Sequence, residues 1–132
     1  MRHPLTSLVT ALALLVYMWN LLAAGQARNK YGVVAPAVTG HPAFERRFRV
    51  QQNMVEQLVL FLPALWVFAT TVSEFWAAAI GAVFVVGRVV YTLGYYTDAS
   101  KRGPGFIIGL LAEAVLLVGA LYGSARIVFF GI

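Results

Sequence analysis

Four long apolar stretches alternate with short polar connections along this chain of 132 residues. They cover about residues 5–25, 44–72, 75–97 and 105–130, and an α-helix needs about 20 mainly apolar residues to cross a membrane. The connection at Ser73 and Glu74 is so short that the second and third stretches must be antiparallel neighbours. The pattern predicts one all-α domain over residues 1–132, an integral membrane bundle of four helices.

The first stretch has an alternative interpretation as a cleaved secretory signal. Arg2 precedes it, and the sequence Ala-Ala-Gly-Gln-Ala ends it at Ala27. The apolar run is longer than the 7–15 residues that are usual for a signal core, so we favour a membrane span.

Polar side chains form a narrow stripe at the start of the second stretch. At about 100° per residue, they fall within an arc of roughly 100° on a helix. The stripe continues into the apolar run that begins at Leu58, and ionisable groups carried towards lipid depth indicate function. Its members are Glu45, Arg49, Gln52, Asn53 and Glu56.

A second stripe lies at the end of the third stretch. If the helix persists through the connection, the arc spans roughly 80° and extends to Arg102. Arg88 lies deepest and needs a partner, for which Glu56 and Asp98 are candidates. The members of the second stripe are Arg88, Tyr91, Tyr95, Asp98 and Arg102.

Composition and charge agree with a membrane protein. Hydrophobic residues make up 61% of the chain and charged residues 11%, against roughly half and a quarter in soluble domains. There is no cysteine, so any thiol chemistry needs a thiol brought by a substrate. The net charge of +5 could indicate nucleic acid, but the basic residues sit at the ends of apolar stretches. We predict no nucleic-acid partner.

The basic residues also predict the orientation of the bundle. The first and third connections and their flanks hold most of them, whereas the opposite side has only Arg2 and Arg126. Because Lys and Arg mark cytoplasmic loops, loops 1 and 3 are expected in the cytoplasm and both termini on the other side. The loop residues are Arg28, Lys30, Arg46, Arg47, Arg49, Lys101 and Arg102.

Together the stripes suit a zwitterionic, peptide-like ligand. Arginines hold carboxylates, a glutamate holds an ammonium, an asparagine holds an amide and tyrosines donate hydroxyls. A cation next to a thiol lowers its pKa from about 8.5 towards neutrality. The candidate residues are Arg49, Asn53, Glu56, Tyr91, Tyr95 and Arg102, with Arg28 from the loop above. No metal-ligand cluster, nucleotide-binding glycine loop or Ser/His triad is visible. The alternative is that these side chains only pin helices together.

These motifs resemble the MAPEG family, the membrane proteins of eicosanoid and glutathione metabolism. The resemblance rests on Ala27-Arg28, on the stretch from Gly40 to Arg46, and on two helical patterns. The patterns are Arg49-x-Gln51-x-Asn53-x-x-Glu56 and Arg88-x-x-Tyr91-x-x-Gly94-Tyr95, followed by Arg102.

The resemblance implies homotrimers of four-helix subunits that bind glutathione between neighbours. In the family, the residue matching Arg102 stabilises the thiolate, and those matching Arg28 and Gln51 come from the adjacent subunit. The positions that line the glutathione site match Arg49, Asn53, Glu56, Tyr91 and Tyr95.

The implied activity is that of a detoxifying membrane glutathione transferase with a peroxidase activity. It would use glutathione as co-substrate and no metal, and attack lipophilic electrophiles or lipid hydroperoxides. The short chain resembles bacterial members, which would place it in the plasma (inner) membrane.

The sequence departs from the family pattern at two positions, and two alternative functions compete with the one implied. Asn29 and Gln57 stand where leukotriene C4 synthases have an arginine and a tyrosine, which puts the leukotriene reaction in doubt. One rival is a lipid-binding scaffold resembling the five-lipoxygenase-activating protein, which would not need the glutathione residues. The other is a transporter subunit, which would need polar residues through the full depth of the bilayer.

Overall fold

The computed structural model describes residues 2–132, and over these residues it consists of four long α-helices and one short 3-10 turn. All four helices are long and apolar enough to cross a membrane, which confirms the all-α prediction. The elements are α1 (Pro4–Lys30), α2 (Pro42–Thr71), α3 (Glu74–Thr97), the 3-10 turn (Ala99–Arg102) and α4 (Gly103–Phe130).

Local sequence explains where the helices begin. Pro4, Pro42 and Pro104 stand in the first turns of α1, α2 and α4, where a missing N–H costs nothing. His41 caps α2 because its Nδ1 accepts from the Ala43 N–H at 3.1 Å. Ser73 caps α3 by accepting from the Trp76 N–H at 3.2 Å.

Each helix begins one or two residues before the predicted apolar stretch, and α1 also ends later than predicted. α1 continues to Lys30, so Arg28 lies in its last turn and not in the first loop, which begins at Tyr31. α4 begins at Gly103, directly after the 3-10 turn. Polar residues do not end a helix when it projects beyond the hydrocarbon layer, and hydropathy therefore predicts the apolar part only.

The core lies along the bundle axis. Phe61 of α2 and Phe84 of α3 stack at 3.8 Å between ring centroids, and both are fully buried. Asn20 of α1 donates to the Thr92 hydroxyl of α3 at 3.2 Å, a buried bond of the kind that holds membrane helices together.

Close contact between α3 and α4 depends on glycine. A methyl group at Gly105 would lie 2.7 Å from the carbonyl oxygen of Gly87, so only a residue without a side chain allows this backbone approach. The approach brings the start of α4 against the end of α3, where the second polar stripe lies.

Candidate functional site

A cavity of about 400 Å³ lies where α2 begins, α3 ends and α4 begins. Its wall combines charged, amide and aromatic side chains from three helices and the 3-10 turn. The lining residues are Arg49, Gln52, Asn53, Glu56, Tyr91, Tyr95, Arg102 and Phe106.

Six residues that the sequence singles out share this cavity, so the two polar stripes meet there. Gln52 belongs to the first stripe but was not among the predicted ligand residues, and Phe106 carried no polar signal. Arg28 and Gln51 do not line it. The six are Arg49, Asn53, Glu56, Tyr91, Tyr95 and Arg102.

The charged side chains on the α2 side of the cavity form no ion pair among the described residues. Within residues 2–132, the one ion pair with a nitrogen–oxygen distance below 4.0 Å joins His3 to Glu74. It lies at the other end of the bundle. Asn53 is half-buried, and its Oδ1 has no hydrogen-bond partner among the same residues. A buried polar atom without a partner is costly, so this side of the cavity is suited to accept a polar ligand.

The α3 side presents aromatic rings and hydroxyls. Tyr91 and Tyr95 meet edge to face with centroids 5.5 Å apart, and Phe106 lies 6.4 Å from Tyr91. Tyr91 is 3% exposed, so its ring is fixed by packing at the cavity wall.

Arg102 reaches the cavity from the 3-10 turn and not from a continuation of α3, as the helical projection assumed. The extended backbone of Asp98 (φ −162°) ends α3. Its Oδ1 accepts the Ser100 N–H at 3.0 Å, and this bond holds the pKa of the Asp98 carboxyl below its usual value. The chain then turns back over α3, where Gly94 leaves room for the Lys101 carbonyl.

The Arg102 guanidinium is held by its own turn. Nη1 donates to the Ala99 carbonyl at 2.8 Å, and the guanidinium carbon lies 5.9 Å from the centroid of the Tyr95 ring. Arg102 itself is exposed. The turn therefore directs a cation towards the cavity without neutralising it.

Arg28 forms hydrogen bonds with the first loop of its own subunit. Its Nη1 donates to the carbonyls of Ala37 at 2.7 Å and Val33 at 3.4 Å, and its guanidinium lies 4.7 Å from the Phe44 ring centroid. Gln51 is half-buried and lies outside the cavity. Within one subunit, neither residue joins the other six.

The partners expected for Arg88 were wrong. Neither Glu56 nor Asp98 forms an ion pair with it among the described residues. Its guanidinium instead lies 4.0 Å from the centroid of the Tyr91 ring, and its side chain packs beside Gly109, one turn before Glu113 on α4. α4 is apolar on nearly all sides, so its sequence could not show that Glu113 faces α3.

The arrangement offers two cations, one carboxylate, two amides and two phenols around one hollow. It can bind a ligand that has both carboxylates and an ammonium group, as a short peptide does. Among residues 2–132 no group of three or more His, Asp or Glu side chains is placed to hold a metal ion.

Comparison with known proteins agrees with the motifs. A profile of the MAPEG family matches residues 6–122. An uncharacterized protein of Synechocystis sp. is 50% identical over 115 residues, which are 87% of this chain and 84% of that protein. The microsomal glutathione S-transferase 2 of Homo sapiens is 46% identical over 101 residues, 76% of this chain and 69% of that protein.

A third relative extends the match. The leukotriene C4 synthase of Cavia porcellus is 38% identical over 119 residues, 90% of this chain and 79% of that enzyme. With four helices able to span a membrane and a match over most of its length, this chain belongs to the MAPEG family of multi-pass membrane proteins.

Proposed function

We propose that this protein is a membrane glutathione transferase whose site is the cavity between α2, α3 and α4. Arg49 binds a glutathione carboxylate, Glu56 its ammonium group and Asn53 a peptide amide. Tyr91 and Tyr95 donate hydroxyls. The observation that carries the proposal is the convergence of these side chains with Arg102 on one cavity of about 400 Å³. The relatives named as glutathione transferase and leukotriene C4 synthase support it.

Arg102 is the catalytic residue in this proposal. Its guanidinium stabilises the glutathione thiolate, because a neighbouring cation favours the charged form of a thiol. The thiol proton passes to water at the open side of the cavity. The thiolate then attacks an electrophilic carbon, so a carbon–sulfur bond forms and the leaving group departs with the electrons of its former bond.

The electrophile would come from the lipid side. An apolar groove of about 500 Å³ runs between α1 and α2, and its residues Val55 and Val59 are near Glu56 in the helix. Such a groove accepts lipophilic molecules with weak discrimination. With a lipid hydroperoxide, the thiolate attacks the peroxide oxygen and a second glutathione completes the reduction, which yields the alcohol, glutathione disulfide and water.

A homotrimer would complete the site. Arg49, Gln52 and Glu56 are exposed on α2 in one subunit, and charged side chains that face lipid are costly. A neighbouring subunit that covers this face removes the cost. That neighbour would supply Arg28 and Gln51, which lie outside the cavity of their own subunit.

The cavity would open towards the cytoplasm, where glutathione is abundant. The cavity lies at the end of the bundle that has loops 1 and 3, and basic residues are concentrated there. Both termini would lie on the opposite side of the membrane, which is the plasma membrane in a bacterial cell.

Conjugation of glutathione to 1-chloro-2,4-dinitrobenzene by the purified protein in detergent tests the proposal. We expect turnover in wild type and a large loss in Asn53→Ala. Thr70→Ala, at the other end of α2, serves as control and should keep wild-type activity. Absence of turnover with this probe and with cumene hydroperoxide, together with no thermal stabilisation by glutathione, would favour the lipid-binding scaffold.

A further inference from the structure

Three polar side chains, one on each of three helices, lie within two helical turns of residues that line the cavity. Gln57 belongs to α2, Arg88 to α3 and Glu113 to α4. Arg88 and Glu113 are each 1% exposed, so they are among the most deeply buried side chains of the bundle. None of the three lines the cavity, and the proposed reaction does not use them.

Arg88 contacts the cavity through a tyrosine. Its guanidinium carbon lies 4.0 Å from the centroid of the Tyr91 ring, and Tyr91 forms part of the cavity wall. The Nε and Nη2 groups of Arg88 have no hydrogen-bond partner among residues 2–132. Buried hydrogen-bond donors are normally paired, so these two groups are exceptions. Arg88 therefore lies against the wall of the site with part of its hydrogen-bonding capacity unused.

Glu113 supplies the opposing charge. The Arg88 side chain packs beside Gly109 of α4, one helical turn before Glu113. When the Gln57 amide is oriented with its nitrogen towards α4, it donates to both carboxylate oxygens, at 2.9 and 2.5 Å. Both oxygens of the Glu113 carboxyl group then accept from one amide nitrogen, which holds this group between α2 and α4.

We propose that Arg88 and Glu113 are positioning residues, a buried charge pair that sets the electrostatic potential at the cavity through Tyr91. Arg88 favours anions there, a glutathione thiolate above all, and Glu113 limits that effect. The thiolate part of this inference rests on the proposed function, whereas the effect on Tyr91 does not.

The effect is large enough to measure. In a medium of effective dielectric constant about 20, a unit charge roughly 10 Å from a thiol changes its pKa by about one unit. The other charged or titratable side chains that line the cavity are not substituted in this test. They come from α2, α3 and the 3-10 turn, and none comes from α1. These side chains are Arg49, Glu56, Tyr91, Tyr95 and Arg102.

The test is the pH midpoint of thiolate absorbance for glutathione bound to three variants. Glu113→Gln leaves Arg88 uncompensated, so the midpoint should fall by about one pH unit. Arg88→Gln should raise it by a similar amount. The double variant should lie between the two single ones. Glu74→Gln, which alters a carboxylate at the far end of the bundle, should leave it unchanged.

Shifts of the pH midpoint in opposite directions distinguish this proposal from structural damage, which would shift the midpoints of both single variants in the same direction. If Arg88→Gln does not fold, comparison of Glu113→Gln with the double variant still isolates the charge of Arg88. Equal midpoints in those two proteins would overturn the proposal, as would shifts of the same sign in both single variants.

A second readout needs no glutathione. Phenolate formation by Tyr91 in the free protein is measured as the difference between each variant and the same variant with Tyr91→Phe. The same opposite shifts are expected. If they occur while wild type forms no thiolate, the charge pair stands and the proposed function fails. If neither substitution shifts the pH midpoint of phenolate formation by Tyr91, the charge pair is refuted, whether or not bound glutathione forms a thiolate.

Discussion

A methyl group at Gly105 would overlap the backbone nitrogen of Tyr91. Gly105 therefore lets α4 approach α3 closely at the cavity. We expect Gly105→Ala to force the helices apart and lower the free energy of unfolding by roughly 1–3 kcal/mol, the usual cost of overpacking. Thermal unfolding in detergent measures this change. Gly103→Ala is the control, because a methyl group there meets nothing within 4 Å; equal stability of the two variants would refute the prediction.

Asp98 holds the turn that carries Arg102. We expect Asp98→Ala to loosen the turn and reduce the thiolate signal of bound glutathione several-fold, whereas Asp98→Asn keeps the cap and most of the signal. The comparison is made at neutral pH by ultraviolet difference spectroscopy. Equal loss in both variants would mean that the charge of Asp98, and not its cap, is what matters.

The hydrogen bond between the Asp98 carboxylate and the Ser100 N–H predicts that stability depends on pH. The folded-state pKa of Asp98 is lowered by the Ser100 N–H. The ionised Asp98 carboxylate therefore stabilises the folded protein fully at pH values above its unfolded-state pKa of about 3.9. This stabilisation is lost as pH falls through the folded-state pKa. Unfolding midpoints of wild type and Asp98→Asn should converge as pH falls through this range. A constant difference would contradict this.

Arg28 should stabilise the first loop even without ligand. Arg28→Ala removes the bonds to Val33 and Ala37, so we expect a loss of about 1 kcal/mol in the free energy of unfolding. Asn29→Ala, exposed beside it, is the control. Unchanged stability of Arg28→Ala without glutathione, together with weaker glutathione binding, would show that Arg28 acts on the ligand alone.

Shared sites predict complementation between two inactive variants. In a homotrimer, Arg102→Ala and Gln51→Ala damage a site from opposite subunits. Co-expression should then restore intact sites and raise activity above that of either variant alone, with a detergent-corrected mass of three subunits. Activity no higher than the average of the two variants, or a monomeric mass, would refute the shared site.

The sequence predicted the α2 stripe and the α3 part of the second stripe well, because helical spacing alone decides which side chains of one helix share a face. Arg49, Asn53 and Glu56 needed only the 3.6-residue period of α2, and Tyr91 and Tyr95 that of α3. The apolar lengths likewise predicted four helices. These features depend on residues close in sequence, where local geometry dominates.

Features that depend on contacts between elements were not predictable in the same way. Arg102 reaches the cavity because Asp98 ends α3 and the chain turns back, not because the helix continues. The nearly uniform apolar surface of α4 does not specify which helix Glu113 faces. The position of Arg88 against α4, one turn before Glu113, depends on the close approach that glycine allows between α3 and α4.

The central claim is that Arg102 activates a glutathione thiol in the cavity. The most direct test adds glutathione to purified wild type, Arg102→Ala and Lys101→Ala, and records the ultraviolet difference spectrum. Lys101 is the matched control, an exposed cation in the same turn that does not line the cavity. We predict thiolate absorbance in wild type and Lys101→Ala, and none in Arg102→Ala. A thiolate signal that survives in Arg102→Ala, or no signal in wild type, would contradict the account.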